Sequence, residues 1–107
     1  LINYYFTPGE IYQIVQFSLQ NSYDLSTIDL KEFLKILIKD GQYKKNNFIN
    51  NMMYMFMEFY FTKLNKSISK SVNKKYSYFI KRIADTKTYN LDKESLFFDF
   101  NEEILNV

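Results

Sequence analysis

The segment that decides the fold is residues 7–37, TPGEIYQIVQFSLQNSYDLSTIDLKEFLKIL. Its first part predicts a helix start, because Thr7 and Glu10 can form a capping box and Pro8 suits the first helical turn. Apolar residues then recur at helical spacing on one face, which indicates a helix with one buried side. The residues on that face are Ile11, Ile14, Val15 and Leu19.

The same segment predicts a second helix after a short loop. Asp29 followed by Glu32 is a second capping signal, and Gly41 suits the end of that helix. The apolar residues of this half are Ile28, Phe33, Ile36 and Leu37. We expect them to pack against Ile14, Val15 and Leu19 and so to form the core of a helical hairpin.

The loop of this hairpin resembles a known calcium-binding motif. Residues 21–33 read NSYDLSTIDLKEF. Asn21 stands where an EF-hand loop has its first ligand, Asp29 stands at the ninth position and Glu32 at the twelfth. The segment therefore resembles an EF-hand loop with its exiting helix, and this resemblance implies a paired helix-loop-helix fold.

Departures from the EF-hand pattern imply a degenerate loop that binds no calcium. Tyr23 and Leu25 occupy ligand positions without offering a carboxylate, and Ser26 replaces the expected glycine. The apolar face of the first helix also ends at Leu19, one residue out of step. The residues leave a second interpretation open, in which this is a plain helical hairpin and Glu32 only completes a cap.

A second segment resembles an EF-hand loop less closely. Residues 65–75 read NKSISKSVNKK and contain no acidic residue. Aligned with the first loop, Val72 corresponds to Ile28 and Tyr76 takes the place of the bidentate glutamate. If both loops were EF-like, Ile28 and Val72 would lie side by side in a short antiparallel link. A helix is expected from about Lys74 to Ala84, with Phe79, Ile80 and Ile83 facing inward.

The most apolar part of the chain is residues 48–64, FINNMMYMFMEFYFTKL. A helix that is apolar on nearly all sides is either central to a core or divided between core and binding surface. Methionine serves both roles, since it fills core gaps and is overused at adaptable partner surfaces. The expected core side is Phe56, Met57, Tyr60, Phe61 and Leu64. The predicted partner-binding set is Met52, Met53, Met55, Phe56 and Phe59.

Charge is segregated although the net charge is only +2. Residues 62–82 form a basic patch without any acidic residue: Lys63, Lys66, Lys70, Lys74, Lys75, Lys81 and Arg82. Residues 83–107 hold six acidic residues against two lysines. These two segments could attract each other as solvated faces, the patch could bind an anionic partner, or Ser67, Ser69 or Ser71 could be phosphorylated.

Several functions are disfavoured by composition. Histidine and cysteine are absent, so the commonest general base and the thiolate ligand are missing. Two glycines cannot form a glycine-rich phosphate loop. We expect no enzyme activity, no metal and no cofactor. The longest apolar run, residues 52–61, is half of the roughly 20 residues that a membrane span needs, so no membrane insertion is expected.

These observations predict an all-α protein of four to five helices with a degenerate EF-hand-like pair. We expect one domain, residues 1–107, cut from a longer chain, intracellular and cytoplasmic, and encoded by an AT-rich genome. The predicted function is calcium-independent protein–protein interaction or scaffolding. The apolar surface rich in methionine and phenylalanine would bind a partner helix, a neighbouring domain or a second copy of the chain. The alternative is a helix-turn-helix or winged-helix nucleic-acid binder, with Leu30–Lys39 as its central helix and residues 42–47 as a wing.

Overall fold

A computed structural model of the chain describes residues 6–64 and 70–106, with side chains for residues 6–62 and 74–106. The described part is helical and contains no β-strand. Its helices are α1 (Pro8–Gln20), α2 (Leu30–Lys39), α3 (Gln42–Lys45), α4 (Asn47–Leu64), α5 (Lys70–Tyr89) and α6 (Lys93–Phe100). A π-helical segment, Asn101–Leu105, continues α6. The all-α prediction is confirmed, with six α-helices in the described part where four to five were expected.

Contacts divide the chain into two compact units, and the boundary falls inside α4. Unit 1 is Leu1–Asn51 and contains α1, α2, α3 and the start of α4. Unit 2 is Met52–Val107 and contains the rest of α4, then α5, α6 and the π-helical segment. That residues 1–107 fold as a single domain stays a prediction.

The predicted start and stop signals of the first two helices are confirmed. Thr7 Oγ1 accepts the Glu10 N–H at 3.2 Å, and the Thr7 N–H donates to Glu10 Oε1 at 2.8 Å. The Asp29 carboxylate accepts the Glu32 N–H at 2.8 Å. Gly41 follows α2 with a φ of 64°, a left-handed conformation that glycine adopts without a steric penalty. Local chemistry therefore sets both helices as the sequence indicates.

The core of unit 1 is built on a different face of α1 from the one predicted. Ile14 is buried as expected, but Leu19 is 67% exposed, so its predicted core role is wrong. Phe17 takes that role, and its ring packs edge-on against Phe33 and Tyr23, with centroids 6.4 and 5.8 Å apart. Because successive helical residues are about 100° apart, a helix that turns Phe17 inward points Leu19 outward.

The second half of the hairpin follows the prediction more closely. Phe33 and Leu37 are fully buried in α2, as expected. Ile28 and Ile36 are only half-buried, and so is Val15 of α1. The hairpin is therefore present, with its core shifted toward aromatic contacts.

Unit 2 is held together by an aromatic cluster around Phe100 of α6. The Phe100 ring lies edge-on to Phe61 of α4 at 5.5 Å, to Phe79 of α5 at 6.0 Å and to Tyr60 of α4 at 6.1 Å. Edge-to-face pairs of this kind add stability beyond the apolar area they bury. Three helices thus meet on one phenylalanine.

Helix α5 is longer than predicted and begins at Lys70 rather than about Lys74. Part of the segment expected to be a basic loop, residues 70–73, is therefore the first turn of α5. Phe79 and Ile83 are buried as predicted, whereas Ile80 is 49% exposed and its inward placement is wrong.

Candidate functional site

The apolar surface predicted on α4 is buried. Met53 and Phe56 are inaccessible, Met52 and Phe59 are 5% exposed, and Met55 is half-buried. Helices α5 and α6 of unit 2 pack on α4. Tyr76 contacts Phe61 at 5.1 Å between centroids, and Phe97 contacts Tyr54 at 6.0 Å. A helix apolar on most sides is covered on most sides, so this set does not form an open groove.

The basic patch is partly neutralised by the acidic segment that follows it. Arg82 donates to Asp99 at 2.7 Å, and Lys81 pairs with Asp85 at 3.0 Å. Lys74 and Lys75 are exposed on α5. The structure does not describe the side chains of the other three lysines, Lys63, Lys66 and Lys70. It also does not describe those of the three candidate phosphorylation serines, Ser67, Ser69 and Ser71. The Arg82–Asp99 pair is the attraction between basic and acidic segments that the charge pattern indicated.

The second EF-like loop cannot be followed through its first half, since residues 65–69 lie outside the described part. Its second half belongs to α5, which includes both Val72 and Tyr76. The extended link predicted at Val72 is therefore wrong, because Val72 belongs to the first turn of a helix and its backbone is not extended. Residues 42–45 likewise form α3 rather than the expected wing.

Hydrogen bonds connect the first loop to α1 and to α3. The Asn21 side-chain amide donates to the Phe17 carbonyl at 2.9 Å and thereby caps α1. The Gln42 amide donates to the Tyr23 hydroxyl at 3.0 Å, which ties α3 to the loop. Ser22 adopts a positive φ of 61°, which lets the chain reverse after α1. The loop therefore has a defined shape beside the end of α1.

Asp24 forms the tightest turn of this loop. Its Oδ1 accepts the Ser26 N–H at 3.0 Å and the Ser26 hydroxyl at 2.6 Å. These hydrogen bonds stabilise the ionised carboxylate and lower the pKa of Asp24 below the ordinary aspartate range. Asp24 is therefore an exposed, negatively charged group at neutral pH.

An open groove of about 490 Å³ lies between the C-terminal half of α1 and this loop. Its described lining is Val15, Ser18, Leu19, Ser22, Tyr23, Asp24, Leu25 and Ser26. The exposed part of Leu19 and the half-buried Val15 and Leu25 make it largely apolar. Its size is within the range of ligand-binding clefts.

Two polar features distinguish the groove. Asp24 is the one charged side chain among its described lining residues, and α1 ends there without a basic residue in its last turn. A helix C-terminus carries a partial negative charge, so helix and carboxylate have the same sign. Ser18 is 2% exposed, and its hydroxyl forms no hydrogen bond with any residue that the structure describes. The groove is therefore apolar, negatively charged and underlain by an unsatisfied hydroxyl.

The sequence interpretation missed this groove. The signal that could have found it is the pair Ile14 and Phe17, which defines an alternative inward face of α1. Choosing that face places Leu19 next to Leu25 on the outside, beside a loop rich in turn-forming residues.

No protein-family model, curated protein or solved structure matches the chain. Within residues 6–64 and 70–106, no helix is both long enough and apolar enough to cross a membrane. The same residues contain no group of three or more acidic side chains placed to hold a metal ion.

Proposed function

We propose that the chain is a calcium-independent protein-interaction module that binds a partner through the groove beside the α1–α2 loop. The observation that carries the proposal is Leu19 of α1, which is two-thirds exposed in an apolar groove beside a hydrogen-bonded loop. Exposed apolar clefts with a few polar groups are typical of binding sites. This groove takes the role that the sequence assigned to α4.

Calcium independence follows from how the loop uses its oxygen atoms. We infer that residues 8–39 form a degenerate EF-hand-like helix-loop-helix. What supports degeneracy is that Tyr23 and Leu25 offer no carboxylate at ligand positions. The carboxylate of Asp29, at the ninth position, accepts the Glu32 N–H and caps α2. Calcium titration should leave the melting temperature and the helical circular dichroism unchanged. A dissociation constant of about micromolar or tighter would contradict the proposal.

The binding function is tested by selecting peptides from a displayed random library on the immobilised full chain. The selected peptides are then measured against Leu19→Ser and, as a matched control, Leu91→Ser. Leu91 is 52% exposed and lies outside the described lining of the groove, so this control removes an exposed leucine elsewhere. Peptides that use the groove should lose about tenfold in affinity with Leu19→Ser and keep it with Leu91→Ser. Equal binding to both variants would refute the groove.

The nucleic-acid alternative has one supporting observation, the exposure of Lys74 and Lys75 on α5. Phosphate binding weakens steeply with salt because it releases counterions, whereas apolar docking does not. DNA binding that disappears between low and physiological salt, and that is reduced in the Lys74→Gln, Lys75→Gln double variant, would favour this alternative.

A further inference from the structure

We propose that the segment that occupies the groove is a cationic amphipathic one, which inserts an apolar side chain beside Leu19 and Leu25 and places lysine or arginine near Asp24. This inference rests on the proposed function, since it names the chemistry of the partner for the same groove. The proposed occupant is a protein segment with apolar side chains on one side and lysine or arginine on the other.

The charged side chain in the groove is a carboxylate, that of Asp24. The described lining of the groove includes no lysine or arginine, while Asp24 is exposed and ionised. The last turn of α1 contains no basic residue that could offset this charge. Complementary potentials favour the correct partner and disfavour partners of like charge. An acidic segment would meet repulsion here.

Leu19 is the most exposed apolar side chain in the groove. Its side chain is two-thirds exposed, and the half-buried Val15 and Leu25 also line the groove. One inserted leucine- or phenylalanine-sized side chain would remove all three from water. Burial of apolar surface supplies the affinity, and charge sets which segment is chosen.

A second observation points to a ligand, and it is independent of charge. Ser18 lines the groove, yet its hydroxyl is buried and finds no partner within the described part of the chain. Buried polar groups are almost always hydrogen-bonded, so an orphan hydroxyl in a groove wall is unusual. A polar group of the bound segment can satisfy it after rotation of the serine side chain.

The test uses the full chain labelled with nitrogen-15 and three synthetic amphipathic peptides. The peptides share one leucine and alanine stripe and differ only in lysine, glutamine or glutamate on the polar face. Amide shifts of residues 15–26 report binding in the groove. We expect the lysine peptide to bind about two- to fivefold tighter than the glutamine peptide, which is the scale of one exposed ion pair. The glutamate peptide should bind most weakly.

Variants separate the two contributions. Asp24→Asn should abolish the preference for lysine while the glutamine peptide still binds, and Leu19→Ser should weaken all three peptides. Leu91→Ser should match the wild type. Ser18→Ala should raise the melting temperature of the free protein and lower peptide affinity.

The results distinguish a failure of the cationic inference from a failure of the proposed function. If all three peptides bind the groove equally, the cationic inference is wrong and the proposed function stands. If none shifts the amides of residues 15–26 at about millimolar concentration, both are overturned. If the free chain instead forms concentration-dependent oligomers that Leu19→Ser removes, the occupant is a second copy and the inference of a separate cationic segment falls.

Discussion

Helices α1 and α4 distribute their apolar residues in opposite ways. Between Met52 and Phe61, α4 is apolar on nearly every side and is almost entirely buried. Helix α1 is more mixed in composition, yet it carries Leu19 at 67% exposure beside an open groove. Of these two helices, the more apolar one is the more deeply buried. The accessible apolar surface arises instead where a helix ends and its loop leaves one side uncovered.

The largest expected effect comes from placing a charge on each helix. Phe59→Lys in α4 should prevent folding, because an unpaired buried ammonium costs several kcal/mol, comparable with the whole stability of a small domain. Leu19→Lys in α1 should change the free energy of unfolding by less than about 0.5 kcal/mol, since the side chain reaches water. Circular dichroism and thermal melting compare the two variants. If the Phe59→Lys protein were well folded, Phe59 would be accessible and α4 could form the binding surface.

A smaller loss is expected from truncating one phenylalanine in the hairpin core. Phe33→Ala should destabilise the protein by roughly 3–5 kcal/mol, because the ring is fully buried against Phe17. The matched control is Phe98→Ala, whose ring is 62% exposed and whose loss should cost much less. Urea unfolding measures both. Equal midpoints for the two variants would show that the packing of α1 on α2 is wrong.

Ser18 offers a gain of stability rather than a loss. Ser18→Ala removes a buried hydroxyl that has no partner among the described residues, and it should stabilise the free protein by about 1 kcal/mol. Part of this gain is the higher helix propensity of alanine, and Ser77→Ala on the exposed face of α5 measures that part alone. If the two substitutions gave the same increase in melting temperature, the Ser18 hydroxyl would have a partner after all.

The smallest effect is the acid dependence of two matched aspartates. Asp24 in unit 1 and Asp92 in unit 2 each accept hydrogen bonds from a nearby serine, Ser26 and Ser95, and these bonds lower both pKa values. A folded-state pKa below the unfolded value stabilises the protein above about pH 4, and this contribution is lost as pH falls through the folded-state value.

Substitution by asparagine checks this pH dependence. Asp92→Asn keeps a good helix cap for α6 without the titrating group, so its stability should fall less between neutral and acid pH than that of the wild type. Asp24→Asn should behave similarly. Identical acid losses in wild type and both variants would contradict the assigned hydrogen bonds.

Features fixed by neighbouring residues could be predicted from the sequence. The capping box of Thr7 and Glu10 and the cap at Asp29 depend on atoms within one helical turn, and both form as predicted. Which face of α1 is buried could not be predicted from neighbouring residues. Ile14 is compatible with a face through Leu19 or through Phe17, and only contact with Phe33 and Tyr23 selects the second.

The candidate site was the least predictable part. Hydrophobic periodicity describes a helix by itself, so it could not tell whether Met52 and Phe59 would be covered by other helices. The groove depends on the conformation of a loop, including the positive φ of Ser22 and the turn at Asp24, and periodicity contains no information about either. Tertiary contacts and loop geometry therefore decide where this protein is open.

The most direct test of that claim is paramagnetic broadening of methyl signals by a soluble gadolinium chelate. The probe attenuates methyl groups that reach water and spares those that are buried. The account predicts strong attenuation of Leu19, comparable with the exposed control Leu91, and preserved signals from Met52, Met53 and Met57. Preserved Leu19 signals together with attenuated Met52 and Met53 would contradict it, because the open apolar surface would then lie on α4.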